Sequence, residues 1–189
     1  MTQPAPTLLQ ETVRGLIAFT DIVGFTELTA AQGDELALAI VTRQEEIVSR
    51  ELPNGARIVK ELGDGLMLFF PDSRIALATC LRLQDIFDRE TETAELPIWV
   101  RMGLHWGNAA RYRNDLIGHD VNVASRIADV AGPGEVLLSE SVIHSLDGAV
   151  DHVFEEIGPV VMKGIPEPLR LFRAVRDPDP AFSLVATHG

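Results

Sequence analysis

Ala56-Arg57-Ile58-Val59-Lys60-Glu61-Leu62-Gly63-Asp64-Gly65-Leu66-Met67-Leu68-Phe69-Phe70 reads as a β-hairpin. Two runs of branched, aliphatic and aromatic residues flank a Gly-Asp-Gly turn, the composition expected of two strands joined tightly. Upstream, Leu36, Ile40 and Ile47 share a face with Ala37, Val41 and Val48 beside them, a helical spacing that Pro53-Asn54-Gly55 ends as a turn. Gly33-Asp34 separates this helix from a shorter helical piece running from Gly24 to about Gln32, and the apolar run from Gly15 to Thr20 precedes both as a first strand. Downstream, Pro71-Asp72-Ser73 leads into a helix with Ala76, Cys80, Leu83 and Phe87 on its packing face, ending in an acidic loop at 90–95. A strand from Ile98 to about Trp106 follows, with Gly107 predicted to break it and Ala109 to Arg113 to pair back as its hairpin partner.

Strand, helix, hairpin, helix, strand is the order of a split βαβ unit. The expected fold class is therefore α+β, with a ferredoxin-like sheet and both helices on one face. Beyond it the sequence predicts a helix from about Asp120 to Ala131, stopped by Gly132-Pro133-Gly134, and a short strand at Val136–Leu138. A small helix at Ser141–Leu146 follows. Strands at Val153–Ile157 and Leu169–Val175 are joined through Met162-Lys163-Gly164-Ile165-Pro166. The expected organisation is one domain at 14–176 between tails at 1–13 and 177–189, without repeats or low-complexity tracts.

The chain has 189 residues, with 16 Lys and Arg against 28 Asp and Glu, a net charge of -12. That field argues against nonspecific binding to nucleic acid or an anionic membrane. No apolar run approaches the ~18 residues of a membrane span, and the start lacks the pattern of a secretory leader, so the expected location is cytoplasmic. A lone cysteine, Cys80, falls in a helical pattern, which leaves no disulfide framework and no cysteine metal site. The histidines show no HxxxH spacing.

The chemistry starts at Phe19-Thr20-Asp21-Ile22-Val23-Gly24-Phe25-Thr26. Asp21 ends an apolar strand, and the helix opening at Gly24, Phe25 and Thr26 aims free N–H groups and a positive dipole end at its surroundings. An acid beside such a nest suits a metal ion and the phosphates it neutralises. In a split βαβ sheet the hairpin turn approaches the end of the first strand, which brings Asp64 toward Asp21. Two carboxylates at an open edge repel, and divalent cations relieve this; Asp64 also fits as a plain turn residue. Farther on, Asn122 and Arg126 are four apart and share one helical face, an arrangement that suits an anionic oxygen or simply a solvated surface.

Phe-Thr-Asp-Ile-Val-Gly-Phe-Thr at 19–26, Lys60-x-x-x-Asp64-Gly65, and Asp115 through Arg126 together resemble the catalytic domain of class III nucleotidyl cyclases, over roughly residues 14 to 175. The resemblance implies a fold, a reaction and a set of roles. Asp21 and Asp64, with Ile22, would bind two Mg²⁺ or Mn²⁺ ions. Gly24, Phe25, Thr26 and Lys163 would meet the triphosphate, Asn122 would fix the ribose, and Arg126 would stabilise charge at the α-phosphate. Lys60 and Asp115 occupy the base-reading positions. A lysine donates to adenine N1 and an aspartate accepts from its N6 amino group, whereas guanine reverses both contacts, so ATP is the expected substrate. The implied activity is adenylate cyclase, forming 3′,5′-cyclic AMP and pyrophosphate in a homodimer whose sites are shared between subunits. Two rival readings fit the same residues: a guanylate cyclase, and a cyclase-like nucleotide-binding regulatory module that does not turn over. The latter is suggested by Asn108, which stands where the family often has a phosphate-binding arginine; Arg111 or Arg43 is the expected substitute, the alternative being a modest affinity for the triphosphate.

Overall fold

The computed structural model describes residues 11–93, 96–148 and 152–176. Most of the tail expected at 1–13, all of that at 177–189, and residues 94 and 95 of the expected acidic loop lie outside the described residues. The elements run β1 (Thr12–Ile22), α1 (Phe25–Gln32), α2 (Asp34–Glu51), β2 (Arg57–Glu61), β3 (Gly65–Phe70), α3 (Ser73–Thr93), β4 (Val100–Tyr112) and β5 (Asp115–Ile117). Then follow α4 (His119–Val130), β6 (Val136–Ser139), α5 (Glu140–Ser145), β7 (Val153–Val160) and β8 (Leu169–Val175). One eight-stranded sheet has the order β2-β3-β1-β4-β6-β8-β7, with β5 paired to β4. Only the β4–β6 pairing is parallel among the described strands. The first four strands reproduce the ferredoxin-like order, as the hairpin between two helices requires.

β1 sits in the middle and is buried on both sides, which is why it reads as a continuous apolar run. Leu16, Ala18 and Ile22 face α2 and α3, together with Leu66, Leu68, Phe70, Met102 and Leu104. Within that layer Leu77, Leu83 and Phe87 of α3 are fully buried, each burial contributing roughly 1.5–3 kcal/mol. Gln44 of α2 donates to Thr20 Oγ1 at 3.0 Å, and the same oxygen accepts the Leu66 amide at 3.1 Å, so a buried polar link fixes α2 on the β1–β3 pair. Cys80 lies in this core, where burial pushes its thiol up to about 12 and leaves it unreactive.

α4 covers the opposite face. Val121, Ala124 and Ala128 pack on Ile17, Phe19, Met67 and Phe69, while Val123 and Ile127 meet Leu137, Met162 and Leu171. The helix lies very close to β4: a Cβ on Gly103 would fall 2.1 Å from the Ala128 backbone nitrogen. Only a residue without a side chain permits that approach.

Several boundaries differ from the sequence expectation. β7 runs on past Ile157 to Val160, and β4 begins at Val100 rather than Ile98. Three larger differences have evident causes. β1 begins at Thr12, because Thr12 pairs with Ala110 at the far end of a long β4. β4 itself does not stop at Gly107; it continues to Tyr112, so residues 109–112 extend the strand and β5 supplies the hairpin partner. α3 continues to Thr93, through most of the expected loop, and Arg43 of α2 braces it by ion-pairing Glu90 at 2.7 Å.

Candidate active site

The register of β1 places Asp21 opposite Gly65 on one side and Arg101 on the other. The Ile22 amide donates to the Asp64 carbonyl at 3.2 Å, which draws the hairpin turn to the end of β1. Asp21 and Asp64 are thereby neighbours. Burial, and then the Asp21 charge, hold the Asp64 carboxyl above its ordinary value.

Arg101 completes this cluster, and the sequence reading did not include it. Its Nε and Nη2 reach Asp21 Oδ2 at 2.7 and 2.6 Å, while Nη1 donates to the carbonyls of Asp129 and Ala131 at the end of α4. The signal was present: a charged residue between Val100 and Met102, on a strand, facing inward toward an acid. Arg43 and Arg111, the expected substitutes for the arginine missing at 108, point elsewhere. Arg43 is held by Glu90 and Glu46, and Arg111 by Glu11 at 3.5 Å.

Asp21 and Asp64 offer the hard oxygen donors that Mg²⁺ and Mn²⁺ prefer. Among the described residues no group of three or more His, Cys, Asp or Glu side chains is placed to hold a metal ion. Two carboxylates with backbone carbonyls leave coordination positions open, which fits an ion that arrives with phosphate oxygens. No side chain caps α1, whose start at Gly24, Phe25 and Thr26 follows directly on the Asp21 strand.

A second cluster forms at β2. Beyond Gly107, β4 stays paired with β1 as far as Ala110 and with β5 as far as Tyr112, and Ala109 and Leu116 share a buried cluster with Ile17, Phe19, Met67 and Phe69. This carries Asp115 to Lys60, whose Nζ lies 2.7 Å from Asp115 Oδ2. The Lys60 hydrogen bond, aided by the Leu116 amide, keeps the Asp115 carboxyl below the usual carboxylate range.

Asn122 and Arg126 stand on the side of α4 turned from the sheet. Asn122 is exposed, and Arg126 pairs with Asp129 at 2.8 Å. Lys163 is exposed in the turn after Met162, which is buried under α4. The described chain thus brings together Asp21, Asp64 and Arg101, and separately Lys60 and Asp115, while Asn122, Arg126 and Lys163 face solvent.

Residues 10–173 match the model of the adenylate and guanylate cyclase catalytic domain. The pH-sensitive adenylate cyclase of Mycobacterium tuberculosis is 33% identical over 92% of this chain and 43% of its own length. The chain spans less than half the length of the curated relatives it matches. The adenylyl cyclase CyaB from P. aeruginosa superposes with a TM-score of 0.76 at 23% identity, over 89% of this chain and 98% of that one. The guanylate cyclase domain of RhGC from Catenaria anguillulae, in complex with GTP, gives 0.72 at 19%, over 89% and 100%. At these identities the structures speak for the fold alone, but the match across nearly the whole chain is decisive: the chain belongs to the family of adenylate and guanylate cyclase catalytic domains.

Proposed function

We propose that the chain is the catalytic unit of an adenylate cyclase, converting ATP to 3′,5′-cyclic AMP and pyrophosphate with two divalent cations at sites shared between two copies. The observation that carries the base choice is the Lys60–Asp115 pair, an ammonium donor 2.7 Å from a carboxylate acceptor. Adenine presents an acceptor at N1 beside a donor at N6 and matches both groups; guanine mismatches both, which sites of this kind reject by up to ~10⁴–10⁵. In the free protein the two residues satisfy each other. Parting a half-exposed pair costs only about 0–1 kcal/mol, so the base gains from replacing it. The 33% identical adenylate cyclase supports the same substrate.

Asp21 and Asp64, with the Ile22 carbonyl, would hold the ions. When bound, the ions neutralise the triphosphate and make the ribose 3′-hydroxyl a better nucleophile. Arg101, released from Asp21, then turns its guanidinium to a phosphate oxygen, supplying the cation that Asn108 does not. The first amides of α1, at Gly24, Phe25 and Thr26, and the Lys163 ammonium meet the remaining phosphate charge. Asn122 orients the ribose, and Arg126 stabilises the charge that grows at the α-phosphate as the 3′-oxygen attacks and pyrophosphate leaves.

The sharing of sites is supported by the outward placement of Asn122 and Arg126, away from the sheet face that carries Asp21. Exposed apolar residues also flank the carboxylates: Leu62, just before the Asp64 turn, and Trp99, whose carbonyl accepts the Val23 amide. A second copy would cover them. The reading excludes nucleic acid as a partner on charge, and among the described residues no helix is long and apolar enough to cross a membrane. Incubation with ATP and Mn²⁺ tests it. Cyclic AMP and pyrophosphate should accumulate in equal amounts, and Asp21→Ala should abolish both while remaining folded; a folded wild-type dimer that forms neither refutes the activity.

A further inference from the structure

On the α4 side of the sheet, His105 of β4 is 8% exposed and forms a polar chain unrelated to Asp21 or Lys60. Its Nδ1 lies 2.8 Å from Ser139 Oγ, which lies 2.9 Å from Ser141 Oγ. Ser141 donates to the Trp106 carbonyl at 2.8 Å and accepts the Trp106 amide at 3.3 Å. Its single proton is therefore spent, and the Ser139 proton is free to go to His105 Nδ1. With Ser139 donating to Nδ1 the ring proton sits on Nε2, which faces Asp120 Oδ1 at 3.7 Å.

Asp120 belongs to the first turn of α4 and is itself built into β4. Its other oxygen accepts the Asn108 amide at 2.7 Å, and it occupies the space a Cβ on Gly107 would need, at 2.1 Å. This explains the glycine in mid-strand, at the position where the sequence predicts a break. Asn122 lies two residues further along the same turn, and its amide donates to the Gly118 carbonyl.

We infer that His105 and Asp120 are positioning residues for the reaction: they hold the first turn of α4 on β4, and protonation of His105 tightens that hold, so the placement of Asn122 and Arg126 responds to acidification. The importance of α4 for turnover rests on the cyclase reading; the tether does not.

The groups facing His105 set the direction. Asp120 favours the charged ring, and His119 on the same helix opposes it. The Ser139 and Ser141 hydroxyls, from β6 and α5, are neutral. Glu167, from the β7–β8 connection, lines a cleft of about 350 Å³ that also reaches His105, His119 and Asp120 and gives the ring access to solvent protons. Burial outweighs Asp120 and holds the imidazole below its ordinary value, so it is neutral at neutral pH. On protonation the chain stays satisfied. Nδ1–H donates to Ser139, the Ser139 proton swings to Ser141, and the imidazolium closes on the Asp120 carboxylate.

The test compares wild type with His105→Gln, His105→Ala and Asp120→Asn, measuring kcat and KM for ATP between about pH 5 and 8, melting temperature, and the His105 ring titration by NMR. Gln places an amide donor where Nε2 stands but does not titrate. His105→Gln should keep most of the neutral-pH turnover and lose the acid-side change in kcat, whereas His105→Ala and Asp120→Asn should lose ~10-fold in kcat with KM little changed. Asp120→Asn should also move the ring titration to lower pH. An identical acid-side change in His105→Gln and wild type overturns the inference, as does an effect confined to KM or to melting temperature. Should wild type form no cyclic nucleotide, the cyclase reading falls, and the tether is still decided by the ring titration and by hydrogen exchange at the Asn122 amide. The protection factor of that amide, taken relative to the intrinsic exchange rate at each pH, should rise as His105 protonates; no change in it overturns the tether.

Discussion

Arg101 of β4 clasps the Asp21 carboxylate with Nε at 2.7 Å and Nη2 at 2.6 Å, while its remaining nitrogen holds the last carbonyls of α4. The acid that ends β1 is thus neutralised by a cation that also ties the sheet to the opposite helix. Asp64 lacks such a partner; burial first, and then the like charge of Asp21, hold its carboxyl up.

Replacing Arg101 separates two roles of this clasp. In Arg101→Met, Mn²⁺ added without nucleotide should bind at least as tightly as to wild type, because a competing cation has gone. Turnover of ATP should nonetheless fall ~10²–10³-fold, as expected when a donor to developing charge is removed. Calorimetric Mn²⁺ titration and steady-state kinetics measure the two. Weaker metal binding together with unchanged turnover would reverse the assignment.

The Lys60–Asp115 pair makes a prediction with a definite sign. Hydrogen bonding from Lys60 depresses the Asp115 carboxyl, so its contribution to the folded state is present above the unfolded value of ~3.9 and is lost as pH falls through the lower folded value. In Lys60→Ala the carboxyl titration, followed by NMR, should move up toward the ordinary value. A titration at the same pH in both proteins would show that the pair does not persist in solution.

Gly103 tests the close approach of α4. In Gly103→Ala the new methyl would lie 2.1 Å from the Ala128 nitrogen and 2.6 Å from its Cα, backbone atoms that cannot rotate aside. Urea unfolding should show a loss of ~1–3 kcal/mol with an unchanged slope. Full stability would mean that the helix is free to lift from the sheet without cost.

Much of this arrangement was legible in the sequence because it rests on local pattern. The hairpin at 56–70 between two amphipathic helices dictates the order β2-β3-β1-β4, and that order brings Asp64 to Asp21. What was not legible depends on tertiary partners. Gly107 looks like a strand break until the Asp120 carboxylate is seen in the space beside it. Residues 90–93 look like a loop until Glu90 is seen paired with Arg43. Arg101 carries no motif of its own; its meaning lies in the strand register that sets it opposite Asp21.

The proposed sharing of sites between subunits predicts complementation. Asp64→Ala and Arg126→Ala should each be inactive alone, and mixing them should restore part of the wild-type activity, since one site of the mixed dimer keeps both intact halves. Heterodimers that form, shown by differential tagging, and yet recover nothing would mean that each chain works on its own residues.

The central claim is that Lys60 and Asp115 select adenine for cyclisation. One assay containing equal ATP and GTP with Mn²⁺, and repeated with Mg²⁺, tests it most directly when both cyclic products are identified and counted. Cyclic AMP should form in large excess, and in a smaller excess in Lys60→Glu, which trades the N1 donor for an acceptor. Cyclic GMP in excess from the wild-type chain would contradict it.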